Sequence, residues 1–297
     1  MSLAYTEIAR NKRRSYFLLF LFMCLISLMG FFLAVLLEGN GIIGLIMASV
    51  VSLIIILVTY FQGGRIALAS SGAKPIEKRD NWELYNIVEN LSIAAGLPTP
   101  KIHLINSSAM NAFATGRDPE HASVAVTTGL LEKLDKKELE GVIAHELSHI
   151  GNYDIRLMMI VMVLAGTVMT ISRWMIYMRH GGGGGRRDGR VQLVLFIVAI
   201  LFIGLSPVFA TLIKMAISRK REYLADASGA LLTRYPEGLA SALEKISADH
   251  TPAQFASSGT AHLYISNPLR KSTWSKWFST HPPTDDRIAK LREMNLG

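Results

Sequence analysis

The chain has 297 residues, 50% of them hydrophobic and only 18% charged, with a formal net charge of +8. That apolar excess excludes an ordinary soluble domain. With no zinc-finger, homeodomain or RNA-binding motif present, the basic balance indicates membrane topology and anionic-lipid contact, not nucleic acid.

Four apolar runs follow one another along the chain: Tyr16 to Leu37, Gly41 to Phe61, Leu157 to Met178 and Val191 to Ile217. Each is close to the ~20 residues that a spanning helix needs. The first follows "NKRRS" but is too long for the apolar region of a signal peptide, and no small-x-small cleavage site follows it, so it is retained. Lys12, Arg13 and Arg14 in front of it place the N-terminus in the cytoplasm. The chain then divides into a hairpin (1–61), a cytoplasmic segment (62–156), a second hairpin (157–217) and a second cytoplasmic segment (218–297). The loop "MRHGGGGGRRDGR" works against this topology, because Arg179, Arg186, Arg187 and Arg190 fall outside. Either the early charges dominate or the third and fourth runs do not cross fully. Gly181–Gly185 is a flexible linker by composition.

The polar segments read as α+β. Asp80 to Ala95 places Leu84, Ile87, Val88 and Leu91 on one face, a helix ending at Gly96. "KIHLI", "NAFATG" and "ASVAVTTG" are short β-prone runs, the last two separated by the turn-rich "RDPEH". "MNAFATG" reads as an exposed edge strand, able to pair with an extended substrate backbone, and Asn111 could hydrogen-bond that backbone. "LDKKELEGVIAHELSHI" is a helix with Asp135 as N-cap and Glu138 as its capping-box partner.

Within that helix His145 and His149 are four residues apart, so both imidazoles share one face and can grip one metal ion. Glu146 points to the same cleft. Zinc lowers the pKa of a bound water towards ~7, and a glutamate can then take its proton. Cys24 is the only cysteine, so a third ligand must be a carboxylate or a histidine on the same side of the membrane. Two spans separate this helix from residue 218, and two crossings restore the side. "SRKREYLADASGALL" offers Glu222 as ligand and Asp226 to receive the free ring N–H of a ligating histidine. Asp154 is a rival ligand, and a solvated helix pairing both acids with Arg219 to Arg221 is the ordinary alternative. Asp135 to Glu140 would be costly in lipid, which keeps the helix near the membrane surface and not inside it.

HELSHIGNYD followed by REYLADA, with MNAFATG before and HPPTDDRI after, resembles the HtpX family of membrane-embedded zinc metalloproteases, kin to the CAAX prenyl proteases. The resemblance implies that His145, His149 and Glu222 bind one Zn²⁺ per chain and that Glu146 is the base. It supports Asn111 as substrate-binding and His281 of the HPP motif as the group that stabilises the oxyanion. Arg287, six residues on, either assists at the substrate or braces the loop. It further implies a multi-pass protein of the bacterial plasma membrane whose cytoplasm-facing site acts on membrane proteins or peptides in quality control. The expected fold is α+β, a predominantly helical integral membrane protein. It has four transmembrane helices and a cytoplasmic zincin-type catalytic domain carrying a small β-sheet. A non-enzymatic metal-binding scaffold or transporter is the competing reading; it needs ionisable residues within the spans, which offer only Arg173 and Lys214 near their ends.

Overall fold

A computed structural model describes residues 2–37, 39–181, 219–252, 263–265 and 282–294. Two long helices come first, α1 (Ser2–Leu36) and α2 (Gly41–Ser70). The Asn40 side chain caps α2 by accepting from the N–H groups of Ile42 and Ile43. The two backbones approach closely where small residues meet. A Cβ on Gly44 would lie 2.4 Å from the Gly30 carbonyl oxygen, and one on Gly30 would lie 2.2 Å from Ala48 Cβ. Ser27 and Ser49 hydrogen-bond across the same contact at 2.7 Å. The outer faces present Phe20, Ile42 and Met47 at 60–65% exposure, the pattern of helices whose surroundings are lipid.

Both helices are long and apolar enough to cross a membrane. The second outruns its expected end at Phe61. "QGGR" breaks the apolar run, but the helix continues to Ser70 because Gly63 packs on Met159 and Ala67 and Leu68 are buried. The third apolar run lies within α6 (Asp154–Gly181); the fourth falls outside the described residues, as do Gly182–Gly185 of the linker.

Between them a four-stranded sheet is built from β1 (Lys74–Pro75), β2 (Lys101–Ile105), β3 (Ala112–Gly116) and β4 (Ala122–Thr127), in the order β1-β2-β4-β3. β2 and β4 are parallel and the other pairs antiparallel. β3 is at the sheet edge as expected, but it is buried along its whole length, because helices cover it and Ile265 N–H donates to Ala112 O. The RDPEH turn is a single 3₁₀ turn at Pro119–His121.

On one face lie α3 (Trp82–Ala95), α4 (Thr128–Lys133) and α5 (Lys136–Gly151). α3 begins two residues later than the periodicity suggests, since Asn81 caps it, and it ends where Gly96 turns left-handed. Asp135 and Glu138 form the expected capping box on α5. α7 (Arg219–Thr233), α8 (Pro236–Ala248) and α9 (Thr284–Arg292) complete the domain. Its core joins Leu84 and Val88 to Ile102, Val124, Val142, Ile143, Leu147, Leu239 and Leu243.

α5 and α6 meet at an 81° bend. Tyr153 makes the turn with φ 59°, a left-handed conformation unusual for an aromatic residue. The bend returns the first residue of α6, Asp154, to the side of α5 that carries the histidines.

Candidate metal centre

Glycines bring the helices of the site together. Gly229 of α7 faces the backbone of α5, where a Cβ would lie 3.0 Å from His145 N. Gly141 of α5 meets Leu239 of α8, where a Cβ would lie 2.6 Å from its nitrogen. Side chains from α7 therefore reach those of α5 directly.

His145, His149 and Glu222 converge, all buried. The two Nε2 atoms are 3.2 Å apart, and Glu222 carboxylate oxygens lie 4.0 Å from His145 Nε2 and 3.8 Å from His149 Nε2. Zinc at ~2.1 Å from each of three tetrahedral donors would set those donors about 3.4 Å apart. The donor types fit zinc and the two histidine nitrogens already stand at that spacing, while the Glu222 carboxylate, which faces each histidine with a different oxygen, would have to move closer.

Each histidine is held at its other nitrogen by an acid. Asp154 Oδ2 lies 3.1 Å from His149 Nδ1. Asp226 Oδ1 lies 3.0 Å from His145 Nδ1, somewhat off the axis of an ideal hydrogen bond. Asp154, the rival ligand of the sequence reading, thus stands behind a histidine and outside the converging group. Arg287 grips Asp226 with two bonds, Nε to Oδ2 at 2.8 Å and Nη2 to Oδ1 at 2.6 Å, and its Nη1 is 3.8 Å from Glu222. It is 2% exposed, so a buried cation offsets the buried acids.

Glu146 is buried beside this group and accepts from the backbone N–H of Ala114 on β3. Burial, reinforced by the charge of Glu222, raises its pKa to about 7 against the opposing pull of His149, the Ala114 N–H and Arg287. Burial lowers His145. For His149 burial acts the same way, but the Asp154 hydrogen bond and the charges of Glu222, Asp154 and Glu146 outweigh it and raise the pKa to about 9. Burial would raise Asp226, but the Arg287 charge and the bonds from Arg287 and His145 lower it.

Asn111 sits at the start of β3, buried, with its Oδ1 accepting from the N–H of Ala112. Its backbone carbonyl accepts from Thr127. His281 lies outside the described residues. α9 starts at Thr284 behind Pro283, and among the described residues no side chain caps it.

Asp154 behind His149, Ala114 beside Glu146 and Asn11, whose side-chain amide donates to Asp154 Oδ1 at 2.7 Å, hold places here that the sequence did not suggest. Asn11 and Asp154 stood in view as polar residues flanking motifs, but the contact depends on a bend that no local signal marks.

Residues 78–295 match peptidase family M48, a stretch that includes the histidine helix, Glu222 and Arg287. The Protease HtpX homologs of Tropheryma whipplei (strain Twist) and Dictyoglomus turgidum are 46% and 45% identical. The alignments cover 98% of this chain in both cases, and 98% and 94% of those proteins. The crystal structure of S. mikatae Ste24p is similar with a TM-score of 0.49 at 22% identity, over 80% of this chain and 56% of that one. With the matched segment carrying the converging site and two spanning helices in front of it, the chain belongs to peptidase family M48 and is a membrane metalloprotease.

Proposed function

We propose that this metalloprotease cleaves peptide bonds of membrane proteins from the cytoplasmic face of a bacterial plasma membrane, in the removal of damaged or unassembled chains. One observation carries the mechanism: a buried carboxylate, Glu146, stands between a three-donor group and the edge strand β3. His145, His149 and Glu222 would hold one zinc ion. When bound, zinc polarises a water molecule and the scissile carbonyl.

The chain's own residues supply the rest. Glu146 takes a proton from the attacking water and passes it to the leaving amine. Burial makes Glu146 a stronger base than an exposed glutamate, and the charge of a bound zinc ion would pull its pKa back down. A substrate strand would gain main-chain hydrogen bonds beside β3 only beyond Ala112, whose carbonyl already accepts from Ile265, in the stretch where Ala114 borders Glu146. Asn111, at the head of that strand, is the proposed substrate contact there. Arg287 holds Asp226 against His145 and offsets the acid charge next to Glu222. The basic cluster Lys12, Arg13 and Arg14 supports the cytoplasmic placement.

The purified full-length chain in detergent should cleave an unfolded membrane-protein substrate, stop when a chelator is added and resume when zinc is restored. Cleavage that survives complete metal removal would rule the reading out.

A further inference from the structure

The first membrane helix reaches into the metal centre. Asn11 of α1 is fully buried, at 0% exposure. Its Nδ2 donates to Asp154 Oδ1 at 2.7 Å and to the carbonyl of Asn152 at 3.0 Å. Its Oδ1 accepts from Arg221 at 3.4 Å, and the same Arg221 nitrogen lies 3.3 Å from Asp154 Oδ1. One residue on, the Lys12 ammonium sits 4.2 Å over the ring of Tyr153. Three consecutive residues of the α5–α6 bend are therefore held from α1: Asn152 by its backbone, Tyr153 by its ring and Asp154 by its carboxylate. The middle one is the left-handed residue.

This matters because Asp154 has a second oxygen, and that oxygen faces His149 Nδ1. A ligating histidine needs its other nitrogen protonated and oriented, so that the Nε2 lone pair is directed at the metal. Asparagine is a weak helix former, and a leucine at a buried helix position would pack without it. Both amide hydrogens of Asn11 are spent on the bend, which is more than filling space requires.

We propose that Asn11 is a positioning residue of the metal centre. It holds the Asp154 carboxylate so that one oxygen receives the His149 ring N–H, and it thereby ties the membrane anchor to metal affinity. The proposal rests on the reading of His145, His149 and Glu222 as the zinc site.

The test uses the full-length chain in detergent, with zinc affinity measured by competition against a chelator and the absorption spectrum of the Co²⁺-loaded protein recorded alongside. Asn11→Leu should weaken zinc binding by about tenfold and alter the Co²⁺ spectrum, and Asp154→Asn should weaken it by about ten- to a hundredfold. The double variant should bind no more weakly than Asp154→Asn alone, since Asn11 acts through Asp154. Phe22→Leu, a core change elsewhere in α1, should bind zinc like the parent. Should Asn11→Leu fail to fold, Asn11→Asp serves in its place. It keeps the shape and the acceptor towards Arg221 but loses the donor to Asp154, and the same weakening is expected.

Parental affinity in the folded Asn11 variant, additive losses in the double variant, or an equal loss in Phe22→Leu would each overturn the proposal. Glu222→Ala separates the two readings. If it binds zinc like the parent, the site itself is misassigned; if it weakens binding while the Asn11 variants do not, only the positioning role falls.

Discussion

The membrane hairpin and the metal-bearing domain solve opposite problems. In α1 and α2 large apolar side chains such as Phe20, Ile42 and Met47 lie exposed, and contact between the helices is made by Gly30, Gly44, Ala48 and two serine hydroxyls. Around α5 and α7 the reverse holds: His145, Glu146, His149, Glu222, Asp226 and Arg287 are all buried, each against a group of complementary character. Exposed apolar surface marks where lipid replaces water, and buried charge marks where chemistry is prepared. The two meet at Asn11, where a polar residue of the hairpin enters the charged network.

The contrast can be broken from the charged side first. Arg287→Met removes a buried cation and leaves Asp226 and Glu222 without its charge. It should cost about 3–5 kcal/mol, read as a fall in the denaturation midpoint; a variant as stable as the parent would mean that the acids do not need it. On the hairpin side, Gly44→Leu forces a side chain against the Gly30 carbonyl and Ala34. Overpacking of that kind should cost about 1–3 kcal/mol. Unchanged thermal stability in detergent would show that the hairpin contact is loose.

The smallest effect belongs to the rim. Burial would raise Asp249, but Thr251 through its hydroxyl and N–H, Lys133 and the Met110 N–H outweigh it and lower its pKa to about 2. A carboxyl depressed in the folded state stabilises above its unfolded pKa and loses that contribution as pH falls through the folded value. Asp249→Asn should therefore be less stable than the parent at pH 7, with the gap closing between about pH 4 and pH 2. Denaturant unfolding of both proteins at several pH values reads this directly, and a gap independent of pH would contradict it.

Much of this arrangement was legible along the chain because it is local. The first two apolar runs, the capping box at Asp135 and Glu138, the left-handed Gly96 and the four-residue spacings of His145–His149 and Glu222–Asp226 all depend on helix geometry. The i, i+4 rule places those pairs on one face before any tertiary contact is known. What stayed hidden depends on contacts across the fold. The Asn11 amide meets Asn152 and Asp154 across 141 and 143 residues of sequence, and "NKRRS" carries only a charge signal. The bend that makes the contact runs through a left-handed tyrosine, which no propensity suggests. Asp154 therefore read as a rival ligand, whereas it stands behind His149 and outside the converging group. β3 read as exposed because a short β-prone run reports a strand, not the helices and the Ile265 segment that pack against it.

In the proposed mechanism Glu146 moves the proton while His145, His149 and Glu222 hold the metal, and one substitution separates the two roles. Glu146→Gln keeps the shape of the side chain and removes its basicity. The variant should retain parental zinc content and lose cleavage of a membrane-protein substrate by about 10²–10⁴-fold. A Glu146→Gln protein that cleaves at the parental rate with its zinc in place would contradict the claim.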